Sequence, residues 1–217
     1  PKGVELTHGN IAAITMSTLA AEGPIIDRGD SRILLFLPLA HVMARVVFYF
    51  AVAGRGRVAH VPNVKHLLTD IQSFEPSALL CVPRVLEKVY NAASAKAGGG
   101  FKGRMFAWSA KQARAYSQAS EKAFGPGPLR KMRHGLADSL VLNKIRSVLG
   151  PNLRYIVSGG APLATDLAHF YAGMGITLIQ GYGLSETTGP ISVQHIGKNP
   201  VGGVGLPLPG NFIKIAK

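Results

Sequence analysis

Residues 181–190 read GYGLSETTGP, and they place an aromatic ring between two glycines, followed by three hydroxyls and one carboxylate. They come directly after the apolar run 176–180, so the pattern predicts a strand that ends in a Gly-Tyr-Gly turn. Glycine lets a flat ring lie against the backbone, hydroxyls can donate to phosphate oxygens, and a carboxylate is a hard ligand suited to Mg²⁺. These residue types favour a nucleotide site in which Tyr182 stacks on the base and Glu186 holds the metal.

The residue types of this stretch suggest three other interpretations. A dinucleotide fingerprint GxGxxG is excluded because Glu186 stands at the third glycine. The hydrolase nucleophile elbow GxSxG is nearly matched around Ser185, but Thr187 replaces its last glycine. His195 lies downstream, yet no Asp or Glu follows Glu186 to complete a triad, so a serine hydrolase is the runner-up. The third alternative is a polar turn in which Tyr182 belongs to the core and Glu186 is solvated.

The elements that must position these residues alternate along the chain. Short apolar runs indicate strands, and segments with helical periodicity lie between them. The alternation predicts an α/β domain with a mainly parallel sheet and helices on both faces. Ligands bind such sheets beyond the carboxyl ends of the strands. The predicted strands cover residues 33–37, 58–61, 78–82, 153–157 and 176–180.

Two of the predicted strand ends are rich in glycine. The segment 158–162 reads SGGAP, and it precedes the opening stretch by one helix and one strand. In a parallel βαβ unit both ends emerge at the same edge, so we expect Gly159 and Gly160 beside Gly181 in a slot for a planar base. His41 ends a third strand and is expected at this edge too. The other histidines show no metal-ligand spacing, so no zinc site is predicted.

The net charge of +13 is concentrated in one region. Residues 96–154 carry twelve Lys or Arg and two Asp or Glu, and they interrupt the strand–helix alternation with predicted helices over 101–124 and 136–149. Such a field can attract nucleic acid, anionic lipid or a phosphorylated ligand. No nucleic-acid motif is present, so no nucleic-acid partner is expected.

Two further features bear on compartment. The single cysteine, Cys81, excludes a disulfide framework and is predicted to be a small core residue. No signal peptide is visible, so a cytoplasmic location is expected. The apolar segment 33–54 is long enough to span a bilayer, but Pro38, His41 and Arg45 interrupt it, which favours a strand, a turn and a helix.

Five motifs, in family order, resemble the large N-terminal domain of the adenylate-forming superfamily of acyl-CoA synthetases, luciferases and peptide-synthetase adenylation domains. The stretch 1–10 resembles the tail of the phosphate loop, 36–46 the histidine motif, and 158–163 and 180–187 the adenine and phosphate motifs. The stretch 202–215 resembles the following glycine-rich motif. These motifs read PKGVELTHGN, FLPLAHVMARV, SGGAPL, QGYGLSET and GGVGLPLPGNFIKI.

The resemblance implies that a carboxylate is activated with ATP and Mg²⁺ to an acyl-adenylate, which CoA then converts to a thioester. It implies the following roles. Tyr182 stacks on adenine, which Gly181 and Gly183 allow to approach, while Gly159, Gly160 and Ala161 line the base and acyl pocket. Ser185 and Thr187 face phosphate, Glu186 holds Mg²⁺, His41 lies where the acyl and phosphate sites meet, and Lys2 lies beside the triphosphate. Ser185 departs from the family's usual threonine but keeps the hydroxyl.

The stretches 37–46 and 83–90, together with the basic helical region 98–150, most resemble long-chain fatty acyl-CoA synthetases. The alternatives are a ligase for an aryl or medium-chain acid, a serine hydrolase, and a non-catalytic nucleotide-binding relative. The basic helices could meet CoA phosphates or an anionic membrane surface, with peripheral membrane association. The phosphate-loop core, the ribose aspartate and the C-terminal domain are absent from residues 1–217. We therefore expect part of a longer enzyme that by itself makes no acyl-adenylate.

Overall fold

The computed structural model describes residues 3–26, 30–197 and 200–216, and within them seven strands form one sheet in the order β2-β1-β3-β4-β5-β6-β7. Neighbouring strands from β2 to β5 run parallel, while β6 and β7 continue the sheet in antiparallel pairing. The strands are β1 Arg32–Leu35, β2 Arg57–His60, β3 Ala78–Cys81, β4 Tyr155–Ser158, β5 Thr177–Leu184, β6 Gly189–Val193 and β7 Leu206–Pro207. The mainly parallel α/β sheet predicted from the sequence is confirmed.

Helices cover both faces of the sheet, as predicted. The helices are α1 His8–Glu22, α2 Val42–Ala53, α3 Leu67–Phe74, α4 Pro83–Ala97, α5 Gly100–Ser120, α6 Pro128–Ala137, α7 Asn143–Val148 and α8 Thr165–Gly173. Single 3₁₀ turns span Gly23–Ile25 and Val64–His66. Alternate residues of one strand enter different cores, because successive side chains point to opposite faces. Leu34 packs in the core beneath α3–α8, whereas Ile33 and Leu35 pack in the core beneath α1 and α2.

The basic region 98–150 folds as two antiparallel helical stretches, which pack on the outside of the domain against α8. A π-helical segment, Asp138–Leu142, joins α6 to α7, so one nearly continuous helix runs from Pro128 to Val148. Helix α5 crosses α8 at backbone contact, because a Cβ built on Gly173 would lie 1.9 Å from the Ala113 carbonyl oxygen. The region therefore contributes buried side chains to the main core.

The expected Gly-Tyr-Gly turn is wrong. Strand β5 continues through residues 181–183 to Leu184 and pairs antiparallel with β6, with a register shift between Tyr182 and Gly183. The turn lies at residues 185–188 instead. The last four residues of β5 therefore extend beyond the end of β4 as half of a hairpin at the sheet's carboxyl edge.

The long apolar segment divides as predicted. It forms β1, a turn, and α2, which begins directly after His41. None of the helices in the described ranges is long and apolar enough to cross a bilayer.

Candidate functional site

The carboxyl ends of β1, β4 and β5 surround a cavity of about 270 Å³. Its lining includes residues from all three strand ends that the sequence singled out. These are His41, Gly159, Gly160, Gly181, Tyr182, Gly183 and Ser185. The structure thus places together the residues that parallel topology predicted to share one edge.

The two glycine-rich strand ends are in direct contact. A Cβ built on Gly159 would lie 3.2 Å from the Gly181 carbonyl oxygen and 3.2 Å from the Met43 sulfur. Gly160 has a φ of +81°, a conformation that other residues adopt only with strain. The Tyr182 side chain is 48% exposed beside this slot, so its ring is free of the core and available for stacking.

The hairpin turn holds the polar residues. Thr187 Oγ1 accepts from the Leu184 amide at 2.9 Å and lies 2.7 Å from the Gly189 carbonyl oxygen, so this hydroxyl is committed to closing the turn. Phosphate contact by this side chain stays a prediction that requires the turn to reorganise. Ser185 and Glu186 are exposed, and their side chains make no hydrogen bond to any described residue.

His41 caps helix α2 from the edge of the cavity. Its Nδ1 accepts a hydrogen bond from the Met43 amide at 3.2 Å. A neutral imidazole that accepts at Nδ1 carries its proton on Nε2, which makes that atom a donor. The cap therefore fixes both the position and the tautomer of this ring.

Three predicted residues lie at the periphery of the cavity or outside it. Ala161 is exposed just beyond Gly160, and neither Glu186 nor Thr187 contributes to the cavity wall. Lys2 lies outside the described residues. The phosphate and metal roles of these residues therefore remain predictions.

The inner wall of the cavity is apolar, and sequence reasoning did not identify it. Helix α2 contributes a stripe at helical spacing, and buried or half-buried side chains from five other elements complete the wall. These residues are Val42, Met43, Val46, Val47 and Phe50 from α2, with Ile25, Leu80, Val157, Ile179 and Val193. The α2 spacing was readable as a helix face, but nothing in the sequence indicated that this face lines a ligand cavity.

Polar groups also line this wall. The Glu22 carboxylate is buried and lies 2.7 Å from His195 Nδ1. The Ser158 hydroxyl is buried and has no hydrogen-bond partner among the described residues. A buried hydroxyl without a partner costs free energy unless a ligand or water satisfies it, so Ser158 is a further candidate for ligand contact. Ser158 begins the SGGAP segment that the sequence singles out, whereas Glu22 shows no signal beyond its residue type.

The residues present fit a Mg²⁺ ion that is shared with phosphate. No cluster of three or more His, Cys, Asp or Glu occurs in the part of the chain that the structure describes. Mg²⁺ keeps several waters and commonly binds through one or two carboxylates plus substrate phosphates, so Glu186 on an exposed turn is a suitable ligand.

Cys81 is buried in the core, as predicted. It lies beneath α4 in the core, and burial raises the pKa of its thiol to about 12. Burial, with a smaller contribution from Cys81, also raises the pKa of Tyr171, whose hydroxyl donates to the Leu86 carbonyl oxygen at 2.8 Å.

The AMP-binding enzyme family matches residues 1–217, and the chain belongs to that family. Among curated relatives, it is 42% identical over 216 residues to long-chain-fatty-acid–CoA ligase FadD15 of Mycobacterium tuberculosis. It is 34% identical over 218 residues to long-chain-fatty-acid–CoA ligase 6 of Mus musculus. All or nearly all of the chain is matched (100% and 99%), but it spans only 36% and 30% of those relatives.

Solved structures agree on the fold. O-succinylbenzoate CoA synthetase from Bacillus subtilis, in complex with ATP and magnesium, superposes with a TM-score of 0.63 at 21% identity, covering 100% of this chain and 35% of that one. The N-terminal domain of FACL13 from Mycobacterium tuberculosis gives 0.61 at 20% identity, covering 96% and 40%. At these identities the likeness concerns the fold alone.

Proposed function

We propose that the protein containing this chain activates a long-chain fatty acid with ATP and Mg²⁺ to an acyl-adenylate, and then transfers the acyl group to CoA. The observation that carries this proposal is the junction of two surfaces at one sheet edge. A glycine-lined slot beside an exposed tyrosine suits a nucleotide, and it opens onto a wall of apolar side chains that suits an alkyl chain. The similarity to long-chain-fatty-acid–CoA ligases supports the same assignment.

The chain's own residues would act by binding and orientation. Tyr182 covers the adenine while the contacting glycines Gly159 and Gly181 leave room for it, and Ser185 donates to a phosphate oxygen. The His41 Nε2–H donates where the acyl carboxylate meets the α-phosphate, which fixes the attacking oxygen. Bound at Glu186, Mg²⁺ would neutralise phosphate charge. Lys2 would lie beside the triphosphate.

The remaining alternatives make different use of this edge. A ligase for an aryl or medium-chain acid would use the same nucleotide slot with a different acyl wall. A serine hydrolase is disfavoured because Ser185 lies in a hairpin turn between antiparallel strands, whereas a nucleophile elbow joins a strand to a helix. A non-catalytic nucleotide-binding relative would retain the slot without adenylating any acid.

Fatty-acid-dependent ATP–pyrophosphate exchange by the whole protein tests the proposal. Glu186→Gln should lower the exchange rate by at least ~100-fold because it removes the metal ligand. Ser185→Ala should lower it by only about tenfold, the loss of one hydrogen bond to a charged oxygen. Loss of all activity in Ser185→Ala, with labelling of Ser185 by a serine-directed probe, would instead identify a hydrolase. Preference for aryl or medium-chain acids would overturn the substrate assignment.

Two finer assignments complete the proposal. Residues 1–217 alone should support no fatty-acid-dependent exchange. The protein should be cytoplasmic and associate peripherally with an anionic membrane surface through its basic region 96–154. The first is tested by the exchange assay on the isolated chain, where robust activity would contradict it. The second is tested by vesicle flotation of the whole protein, where absence of binding to anionic vesicles would contradict it.

A further inference from the structure

Helix α6 and its continuation carry an exposed apolar stripe on the side facing away from the core. The stripe consists of four side chains at spacings of three, four and four residues, which place them on one helix face. They are Leu129 (55% exposed), Met132 (67%), Leu136 (52%) and Leu140 (37%). The helix packs on the protein through other residues, because Ala137 is fully buried and His134 Nε2 lies 2.6 Å from the Gly173 carbonyl oxygen.

Cations lie beside this apolar stripe, where Lys122, Arg130 and Arg133 share a groove with Leu129. Between Lys122 and Ala137 the chain carries four Lys or Arg and no Asp or Glu. The loop that leads into α6 also presents Phe124 fully to solvent. Exposed apolar side chains that are rimmed by charge mark an interaction surface rather than ordinary solvent-facing structure.

A groove of about 550 Å³ between α5 and α6 adjoins the stripe. Four cationic side chains from the two helices and the loop between them line it: Lys111, Lys122, Arg130 and Arg133. Arg130 is held in place by a 2.8 Å hydrogen bond from its Nη1 to the Ala115 carbonyl oxygen. A cationic groove next to an apolar stripe can accept a phosphate-bearing head group while the acyl region contacts the stripe.

We propose that the outer face of α6 docks the protein on an anionic phospholipid bilayer, with the apolar stripe in the head-group boundary and the groove on lipid phosphates. Helices that lie in the membrane interface combine an apolar face with Lys and Arg in this way. Each cation near an anionic surface raises partitioning roughly fivefold. A second copy of the chain is a poorer occupant, because pairing this face with itself would bring like charges together.

The proposed function gives this docking a purpose, because a lipid substrate would be taken from the bilayer. Only that purpose rests on the proposed function, since the docking itself needs no catalysis.

The test is flotation of the whole protein with vesicles of phosphatidylcholine alone or mixed with phosphatidylglycerol. The stripe variant combines Leu129→Gln, Met132→Gln and Leu136→Gln. The charge variant combines Lys131→Gln and Arg133→Gln. The matched control is Met16→Gln, an equally exposed methionine (64%) on helix α1.

The unmodified protein and Met16→Gln should float with the phosphatidylglycerol vesicles and not with phosphatidylcholine alone. The stripe variant should partition at least ~10-fold more weakly. The charge variant should also partition more weakly and depend less on salt. In detergent-free solution all variants should retain ATP–pyrophosphate exchange. Absence of exchange by the unmodified protein would therefore contradict the proposed function and leave the docking surface unaffected.

Three results would overturn the docking surface. The first is failure of the unmodified protein to float with anionic vesicles in a preparation that is otherwise active. The second is flotation of the stripe variant to the same extent as Met16→Gln, which would place the contact elsewhere. The third result is a concentration-dependent dimer of the unmodified protein that the stripe variant abolishes while vesicle binding is unaffected, because the face would then belong to a second copy.

Discussion

Gly183→Ala tests whether the β5–β6 hairpin positions the nucleotide. A Cβ at this position would lie 1.9 Å from the Gly189 carbonyl oxygen and 2.7 Å from the Pro190 Cα, both backbone atoms on the partner strand. The two strands must therefore separate by roughly 1 Å, and a misplacement of that size at a catalytic site costs about 100-fold in rate. The overpacking should also cost about 1–3 kcal/mol of unfolding free energy. The assays are ATP–pyrophosphate exchange by the whole protein and urea unfolding.

Two other glycines provide matched controls. Gly173→Ala creates a clash of the same size, 1.9 Å from the Ala113 carbonyl oxygen, but in the packing of α5 against α8. It should lower stability and leave the exchange rate per folded molecule unchanged. Gly99→Ala meets nothing within 4 Å and should change neither quantity. Exchange at the unmodified rate by Gly183→Ala, or an equal loss of activity per folded molecule in Gly173→Ala, would show that the hairpin does not position the nucleotide.

Three further predictions concern stability and specificity. Burial raises the thiol pKa of Cys81 from 9.0 to about 12, so the native state favours the neutral thiol. The free energy of unfolding therefore falls as the pH rises above 9.0, because the unfolded state can then lose the thiol proton. Between pH 7 and pH 10 the unmodified chain should lose about 1.4 kcal/mol more unfolding free energy than Cys81→Ala, and equal losses in urea unfolding would contradict this. Thr7→Ala should lower the free energy of unfolding by about 1 kcal/mol in the same assay, because the Thr7 hydroxyl accepts from the Asn10 amide at 3.1 Å and caps α1. An unchanged free energy of unfolding would show that this cap is dispensable. Val47→Phe should narrow the cavity, and in the whole protein it should lower kcat/KM for the longest acids by roughly tenfold or more. An unchanged dependence of kcat/KM on chain length would show that α2 does not contact the acyl chain.

The sheet and the meeting of its strand ends could be predicted because they depend on local periodicity and one topological rule. Apolar runs that alternate with helical segments define a parallel sheet, and parallel strands place their carboxyl ends at one edge. The contact between Gly159 and the Gly181 carbonyl follows from that rule. His41 could be placed for the same reason, since it follows β1 and begins α2.

The hairpin at residues 177–193 could not be predicted in the same way. Glycines usually end strands, so the stretch 181–183 was interpreted as a turn, but pairing with β6 carries β5 onward. That pairing depends on residues further along the chain rather than on local propensity. The commitment of the Thr187 hydroxyl to the turn depends on this hairpin and was missed with it.

The predicted bounds of the helices in the basic region 98–150 were also wrong. A helix was expected from 136, but α6 begins at Pro128, and α5 ends at Ser120 rather than at 124. Gly127 and Pro128 lie in the stretch between the two predicted helices. Proline suits the first turn of a helix because the backbone N–H groups there have no hydrogen-bond acceptor within the helix, so the N–H that proline lacks is not needed. Gly127 and Pro128 therefore mark the beginning of α6. The amphipathic stripe on this helix could be recognised only once its start was known.

If the edge cavity holds the acyl chain of a long-chain acyl-adenylate, an analogue of that intermediate should label the cavity wall. The analogue is a non-hydrolysable long-chain acyl-adenylate with a photoreactive group near the far end of its chain, irradiated with the whole protein before the labelled residue is mapped. We expect labelling of the apolar inner wall, at residues such as Val47 or Phe50, and protection by excess unlabelled analogue. Labelling confined to the groove between α5 and α6, or label that is not displaced by the analogue, would contradict it.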